Sequence, residues 1–331
     1  MTGSSVAVAA GHTPSRRREE IAAAVQRHGA LAVLLLVVVV FSFVFPNFGT
    51  VTNLTNVLVD QSFLAIVALG MTFVIISGGI DLSVGSVFAL GGVVAAWGSH
   101  HGLLVALGAP LLLCGGIGLL NGVLIARAGM APFIVTLASL LGARGLLLAL
   151  SNEGETTYKV PADGLFHALG ADVIGVNLSV WIALVLFVVL GVVLTRTGFG
   201  QGVFALGGSE DAASLMGLRV ARIKISVYVL SGLLAGFAGA LNAAWVSSGV
   251  TILGTGMELD AIAAVVIGGT LLVGGAGSVV GTAAGVLLLG VIQNLINQVG
   301  SLNSSIQAVV SGTFLIVVVV LQTLLSRTRR L

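Results

Sequence analysis

Long apolar runs follow one another along nearly the whole chain, at about 30–46, 54–76, 84–97, 103–126, 131–150, 178–194, 225–246, 257–273, 279–299 and 306–325. A backbone entering hydrocarbon must satisfy its own N–H and C=O groups, so runs of this kind fold as helices. With about 20 apolar residues needed to cross a bilayer core of roughly 30 Å, the chain holds about ten transmembrane helices and little else. The expected fold class is therefore all-α, a polytopic membrane protein. Two runs, 84–97 and 257–273, are short for a straight crossing and are flanked by glycine-rich or acidic sequence. They are expected to be short broken helices. Charged residues make up only 8% of the 331, where soluble domains carry about 25%, so a large extramembrane domain is excluded. A net charge of +2 is too small and too dispersed for a nucleic-acid partner.

The basic residues orient the spans. With the N-terminus in the cytoplasm, Arg16, Arg17, Arg18, Arg27, Arg127, Arg196, Arg219, Arg222, Lys224, Arg327, Arg329 and Arg330 all fall inside, Lys159 outside, and Arg144 within a span. Retention of Lys and Arg at the cytoplasmic face predicts this distribution. An even number of spans follows, with both termini cytoplasmic. Residues 1–29 are assigned to an N-terminal tail expected to be disordered, 30–325 to the transmembrane domain with an inner loop at 195–224, and 326–331 to a C-terminal tail. No small-residue cleavage site follows the first apolar run, so a cleaved signal is not expected. The single cysteine, Cys114, lies in an apolar run and reads as a packing residue; neither a disulfide framework nor a metal site is expected.

Two loops are long enough to act. The outer one, "SNEGETTYKVPADGLFHALGADVIGVN" (151–177), is polar and acidic. It either folds over an external opening, meets an external partner, or is a solvated connector. The inner one contains "GGSEDAASLMGL" (207–218). Ser209 can cap a short helix there, with Glu210 and Asp211 in its first turn where the helix dipole favours anions. Ala212, Ala213, Leu215 and Met216 give that helix an apolar face, and Gly217 can end it in the left-handed conformation. A helix lying on a membrane would carry Lys or Arg on its polar face. This one carries acids, which favours a protein partner.

Polar groups inside the spans mark function, because an intramembrane ionisable residue normally faces a cavity or a partner. Asp60, Asp81, Ser83, Asn121, Arg144, Asn242, Glu258, Asp260, Gln293, Asn294 and Asn297 are such groups. Asp81 sits at a helix break in "GGIDLSVG", two residues before Ser83, and is expected to cap the following helix. Two readings stay open: capping alone, or a broken helix whose end points into a permeation path. Glu258 and Asp260 open another short span in the same way. Gln293, Asn294 and Asn297 share a helix face suited to interhelical hydrogen bonds or to a hydroxylated solute. The 47 glycines recur at four-residue spacing, as in Gly118/Gly122, Gly232/Gly236 and Gly277/Gly281/Gly285, which lets helices approach closely. "SGGIDLSVGS" and "VGGAGSVVGT" superpose Gly78, Gly79 and Gly85 on Gly274, Gly275 and Gly281, a short match driven by composition. "GGAGSVVG" follows a span and not a strand, so it fails as a nucleotide loop. No Walker motif, H-E-x-x-H or G-x-S-x-G is present; this is not an enzyme by its motifs, and nucleotide-derived energy must come from elsewhere.

"GMTFVIISGGIDLSVGSVFALGGVVAA", "APFIVTLASLLGARGLLLALS", "RTGFGQGVFALGGSEDAASLMGLRVARIKISVYVLSGLLAGFAGAL" and "GTGMELDAIAAVVIGGTLLVGGAGSVVGTAAGVLLLGVIQNLIN" resemble the membrane-spanning permease subunits of bacterial ABC importers for monosaccharides, the ribose type. The likeness runs from about residue 30 to 325. "FLAIVALGMTFVIISGGIDLSVGS" and the "VIQNLINQVGSLNSSIQ" region look most like the galactofuranose permease subgroup. The resemblance implies a type II-like ABC importer permease of the inner membrane with no cofactor of its own. It implies two cytoplasmic ATPase subunits that use ATP, a second permease subunit, identical or homologous, and a periplasmic or tethered sugar-binding protein. The segment around Gly207, Gly208, Glu210, Asp211, Ala213 and Gly217 matches the coupling helix that docks on the ATPase. Asp81, Ser83, Glu258 and Asp260 are the candidates for the translocation path or gate. The rival expectations are an ion-coupled secondary transporter acting alone, a passive channel, and a scaffold.

Overall fold

The computed structural model describes residues 16–299 together with the single positions 309, 312, 313 and 316. Residues 1–15, and the expected span at 306–325 and tail at 326–331 apart from those positions, lie outside the described residues. The chain is mostly helical. α1 (Arg16–Val44), α2 (Val51–Ile76) and α3 (Val84–Gly98) lead through a single 3-10 turn into α4 (Leu103–Arg127) and α5 (Pro132–Leu150). A long outer loop carries the two-residue strands β1 (Asp172–Val173) and β2 (Val176–Asn177) before α6 (Leu178–Arg196), α7 (Gly198–Gly208), α8 (Glu210–Leu215), α9 (Val220–Trp245), α10 (Met257–Ile267) and α11 (Val279–Val299). Among the described residues six helices, α2, α4, α5, α6, α9 and α11, are long and apolar enough to cross a membrane. α1 covers residues 16–29, which the sequence assigns to a tail; its Ala-rich stretch has high helix propensity.

Local chemistry sets these limits. Thr50, Asn177 and Thr197 begin α2, α6 and α7, each side chain accepting a hydrogen bond from a backbone N–H of the first turn. Pro132 opens α5 where a missing N–H costs nothing. α3 has 15 residues and α10 has 11, the two short helices expected from the sequence. α10 stops at Ile267 and not near 273, because Gly268 and Gly269 follow and Gly269 adopts φ +90°.

α2, α3 and α9 form the centre. Of the most apolar 18-residue stretch, 89% is buried in α2 but only 17% in α6. α4 packs along α9 through glycines: a Cβ on Gly118 would strike the Tyr228 carbonyl, and one on Gly232 the Cys114 carbonyl. Gly281 and Gly285 bring α11 equally close to α10, against the carbonyls of Gly268 and Ala264. This is the close packing that four-residue glycine spacing predicts. α2 and α11 are joined by amides: Asn53 and Asn294 donate to each other at 3.0 and 2.9 Å, and Gln61 Nε2 donates to Gln293 Oε1 at 3.3 Å. Gln293 and Asn294 therefore serve interhelical contact, while Asn297 is exposed. The outer helices α4, α5 and α6 present apolar side chains outward, among them Leu112, Leu141 and Val188. Such a surface suits lipid or another membrane subunit.

The loop 151–177 is packed and not a free connector. Val160 N–H donates to Ser247 O at 2.9 Å, and Gly249 N–H to Tyr158 O at 2.8 Å. Residues 158–160 thus pair antiparallel with 247–249, and Phe166 is buried beneath them. His100 Nε2 adds a 2.8 Å contact to Lys159 O.

Candidate functional site

The turn after α2 returns the chain into the interior before α3 begins. Asp81 lies in this return and is 1% exposed. Its Oδ1 accepts from Ser83 N–H at 3.0 Å and Ser83 Oγ at 2.6 Å, and its Oδ2 accepts from Ser231 Oγ on α9 at 2.8 Å. Asn121 on α4 donates to Ser83 Oγ at 3.2 Å, and Ser139 on α5 donates to Asn121 Oδ1. One carboxylate therefore links the start of α3 to α9 and, through Ser83, to α4 and α5. Ser231 lies roughly 16 Å along α9 from its first residue at 1.5 Å per residue, which places Asp81 deep between the helices. The cap differs from the expected one. α3 begins at Val84 with Ser83 as its boundary residue, and Asp81 holds the Ser83 N–H just outside the helix.

The second break approaches the same level from the other side. After α9 the chain turns back alongside α3: Gly249 packs on Val93 and Ala96, and Gly254 on Gly85. From Val93 to Gly85 is roughly 12 Å along the α3 axis, so α10 starts near the beginning of α3 and not at its outer end. Arg144 of α5 holds this descending segment. Its guanidinium donates to Thr251 O at 2.8 Å and to Leu253 O at 3.2 Å. These carbonyls belong to no helix, and an arginine satisfies several at once.

Glu258 and Asp260 occupy the first turn of α10, behind Gly256 at φ +81°. Both are half-buried. Among the described residues neither carboxylate has a hydrogen-bond or ion-pair partner. The Glu258 carboxylate lies where a Cβ on Gly85 would stand. Asp81, Ser83 and Glu258 are thus brought to one place, around the start of α3, with Asp260 in the same first turn as Glu258, but in different states: Asp81 and Ser83 are bonded, while Glu258 and Asp260 have no partner among the described residues. Ser231 and Ser139 were missed in the sequence. A serine in a glycine-rich apolar helix carries no local signal; its partner is 150 positions away.

The loop between α7 and α9 forms the helix its sequence specifies. Ser209 Oγ accepts from Ala212 N–H at 3.3 Å, Glu210 and Asp211 fill the first turn of α8, and Gly217 ends the segment at φ +80°. Glu210 is tied to Lys224 of α9 at 2.7 Å. Ala213 is fully buried, whereas Leu215 and Met216 are 89% and 69% exposed. Gly208 is exposed, and Gly207 is held against the turn after α2.

Residues 53–319 match the family described as branched-chain amino acid transport system / permease component. The chain is 42% identical over 312 residues to the ribose import permease protein RbsC of Escherichia coli, covering 93% of this chain and 97% of that one. It is 37% identical over 306 residues to the ribose import permease protein of Bacillus subtilis, covering 90% and 92%. To the L-arabinose ABC transporter permease protein AraH of Azospirillum brasilense it is 37% identical over 283 residues, covering 85% and 83%. No solved structure matches. A match over this much of the chain, on a bundle of apolar helices with two interior breaks, makes it a member of the family of branched-chain amino acid transport system permease components.

Proposed function

We propose that the chain is the membrane-spanning permease subunit of an ATP-driven importer of a monosaccharide. The observation that carries this reading is α8: a capped helix that ends in two exposed apolar side chains, Leu215 and Met216, on a chain similar over 85% or more of its length to ribose and arabinose permeases. Exposed Leu215 and Met216 beside acids suit a groove on a protein, and a cytoplasmic ATPase subunit is the partner that would supply motion. Gly208, Glu210, Asp211, Ala213 and Gly217 shape that contact, and Gly207 stands behind it against the turn after α2. A second permease subunit would cover part of the exposed apolar face of α4 to α6, and an external sugar-binding protein would deliver the sugar. In this reading the chain is a type II-like permease of about ten helices, with both termini cytoplasmic in a bacterial inner membrane.

The path lies where the two broken helices meet. Glu258 and Asp260 are free to accept hydrogen bonds from sugar hydroxyls, and Asp81 with Ser83 holds the start of α3 that they face. Binding there must be weak enough to permit release. A ribose- or galactofuranose-like sugar is the proposed cargo; the galactofuranose assignment rests on the strings near residues 63–86 and 291–307 alone. Reconstitution into proteoliposomes tests the whole. Uptake should require ATP at the cytoplasmic face, the ATPase subunits and the external binding protein. Uptake by this chain alone under a proton or sodium gradient would overturn the proposal.

A further inference from the structure

The glycine match between "SGGIDLSVGS" and "VGGAGSVVGT" has a physical counterpart. Gly78 and Gly274 touch. A Cβ built on Gly274 would stand 2.9 Å from Gly78 Cα and 3.1 Å from Gly207 O, and one on Gly275 would stand 3.0 Å from Gly208 Cα. A Cβ on Gly207 would collide with the Ile76 carbonyl, and Gly275 N–H donates to that same carbonyl at 2.9 Å. Three turns therefore meet backbone to backbone. They are the turn leading from α2 to Asp81, the end of α7 immediately before α8, and the turn between α10 and α11.

Side chains yield by changing rotamer; closely packed backbones do not. A displacement of α8 thus reaches the break before α3 and the far end of α10 without being absorbed. Gly78 and Gly274 have φ +84° and +87°, so neither position admits another residue without strain. Thr270, in the α10–α11 turn, is fully buried and its Oγ1 has no hydrogen-bond partner among the described residues.

We propose that Ile76–Gly78, Gly207–Gly208 and Gly274–Gly275 form one rigid joint that carries motion of the coupling helix to both broken helices together. The proposal rests on the permease reading above. It is tested in the assembled transporter with spin labels at Gln201→Cys on α7 and Val273→Cys in the α10–α11 turn, both exposed; the native Cys114 is buried. The Gln201–Val273 distance should stay constant when ATP binds. The distance from each to a label at Leu104→Cys, at the start of α4, should change. A changing Gln201–Val273 distance overturns the joint while leaving the transporter reading intact. A wild-type chain that binds no ATPase overturns the transporter reading itself.

Gly207→Ala gives the second measurement. ATPase subunits should co-purify in the wild-type ratio, while uptake falls about tenfold or more because the added methyl forces the turns apart. Gly198→Ala, on the same helix with open space around it, should import normally. Normal uptake by Gly207→Ala, or loss of ATPase binding in that variant, overturns the joint.

Discussion

α3 and α10 are both short helices that start in the interior behind a glycine turn with an acid close by, yet the two starts are built for opposite ends. At α3 the acid is consumed. Asp81 accepts three hydrogen bonds and is sealed from solvent. At α10 the acids are kept in reserve, since Glu258 and Asp260 are half-buried and unbonded among the described residues. A polar group deep among apolar helices is stable when paired, and unpaired it has a cost that function must repay. The difference teaches that an acid at a helix break is not by itself a path residue. Its partners decide.

The comparison breaks most visibly at Asp81. Asp81→Ala strands the Ser83 N–H and two serine hydroxyls in a sealed space, at about 1–3 kcal/mol for each buried donor left unsatisfied. Purified protein should show a lower thermal midpoint, with poor membrane yield. Asp81→Asn, which keeps one acceptor, should lose clearly less. If Asp81→Ala unfolds at the wild-type temperature, the two starts are not different in kind.

Arg144→Ala comes next. It leaves the Thr251 and Leu253 carbonyls without their donor, at about 1.5–3 kcal/mol for a lost charged hydrogen bond. Faster proteolysis within 246–256 should report the loosened approach to α10. Glu258→Gln with Asp260→Asn should leave the thermal midpoint unchanged or raise it, since among the described residues neither acid has a partner to lose and an unpaired half-buried charge is costly. Uptake in that double variant should fall about tenfold, or 1.4 kcal/mol in the transport barrier. Unchanged uptake together with a lower midpoint would reverse the assignment of roles. The smallest effect is expected for Thr270→Val. Removing an unpartnered buried hydroxyl should be neutral or stabilise by less than about 1 kcal/mol, read as a small rise in midpoint.

Much of the architecture was legible because hydropathy and capping are local signals. Both short helices, the limits of α8 from Ser209 to Gly217, and the glycine faces of α4, α9 and α11 follow from spacing and residue type. Partners across the chain were not legible. Arg144 meets Leu253 at 109 positions' separation and Asn53 meets Asn294 at 241. No period within one helix encodes which neighbour it will face. For that reason the capping and path readings of Asp81 could not be separated in the sequence, and the outer loop could not be told from a connector.

The antiparallel pairing of 158–160 with 247–249 has a practical corollary for anyone mapping topology. A reporter or epitope spliced between Tyr158 and Val160 would wrench the strand that feeds α10 and silence the protein, whichever face of the membrane it reports. The exposed stretch Glu155–Thr157 just ahead of it lies outside that pairing, and a tag there disturbs it least.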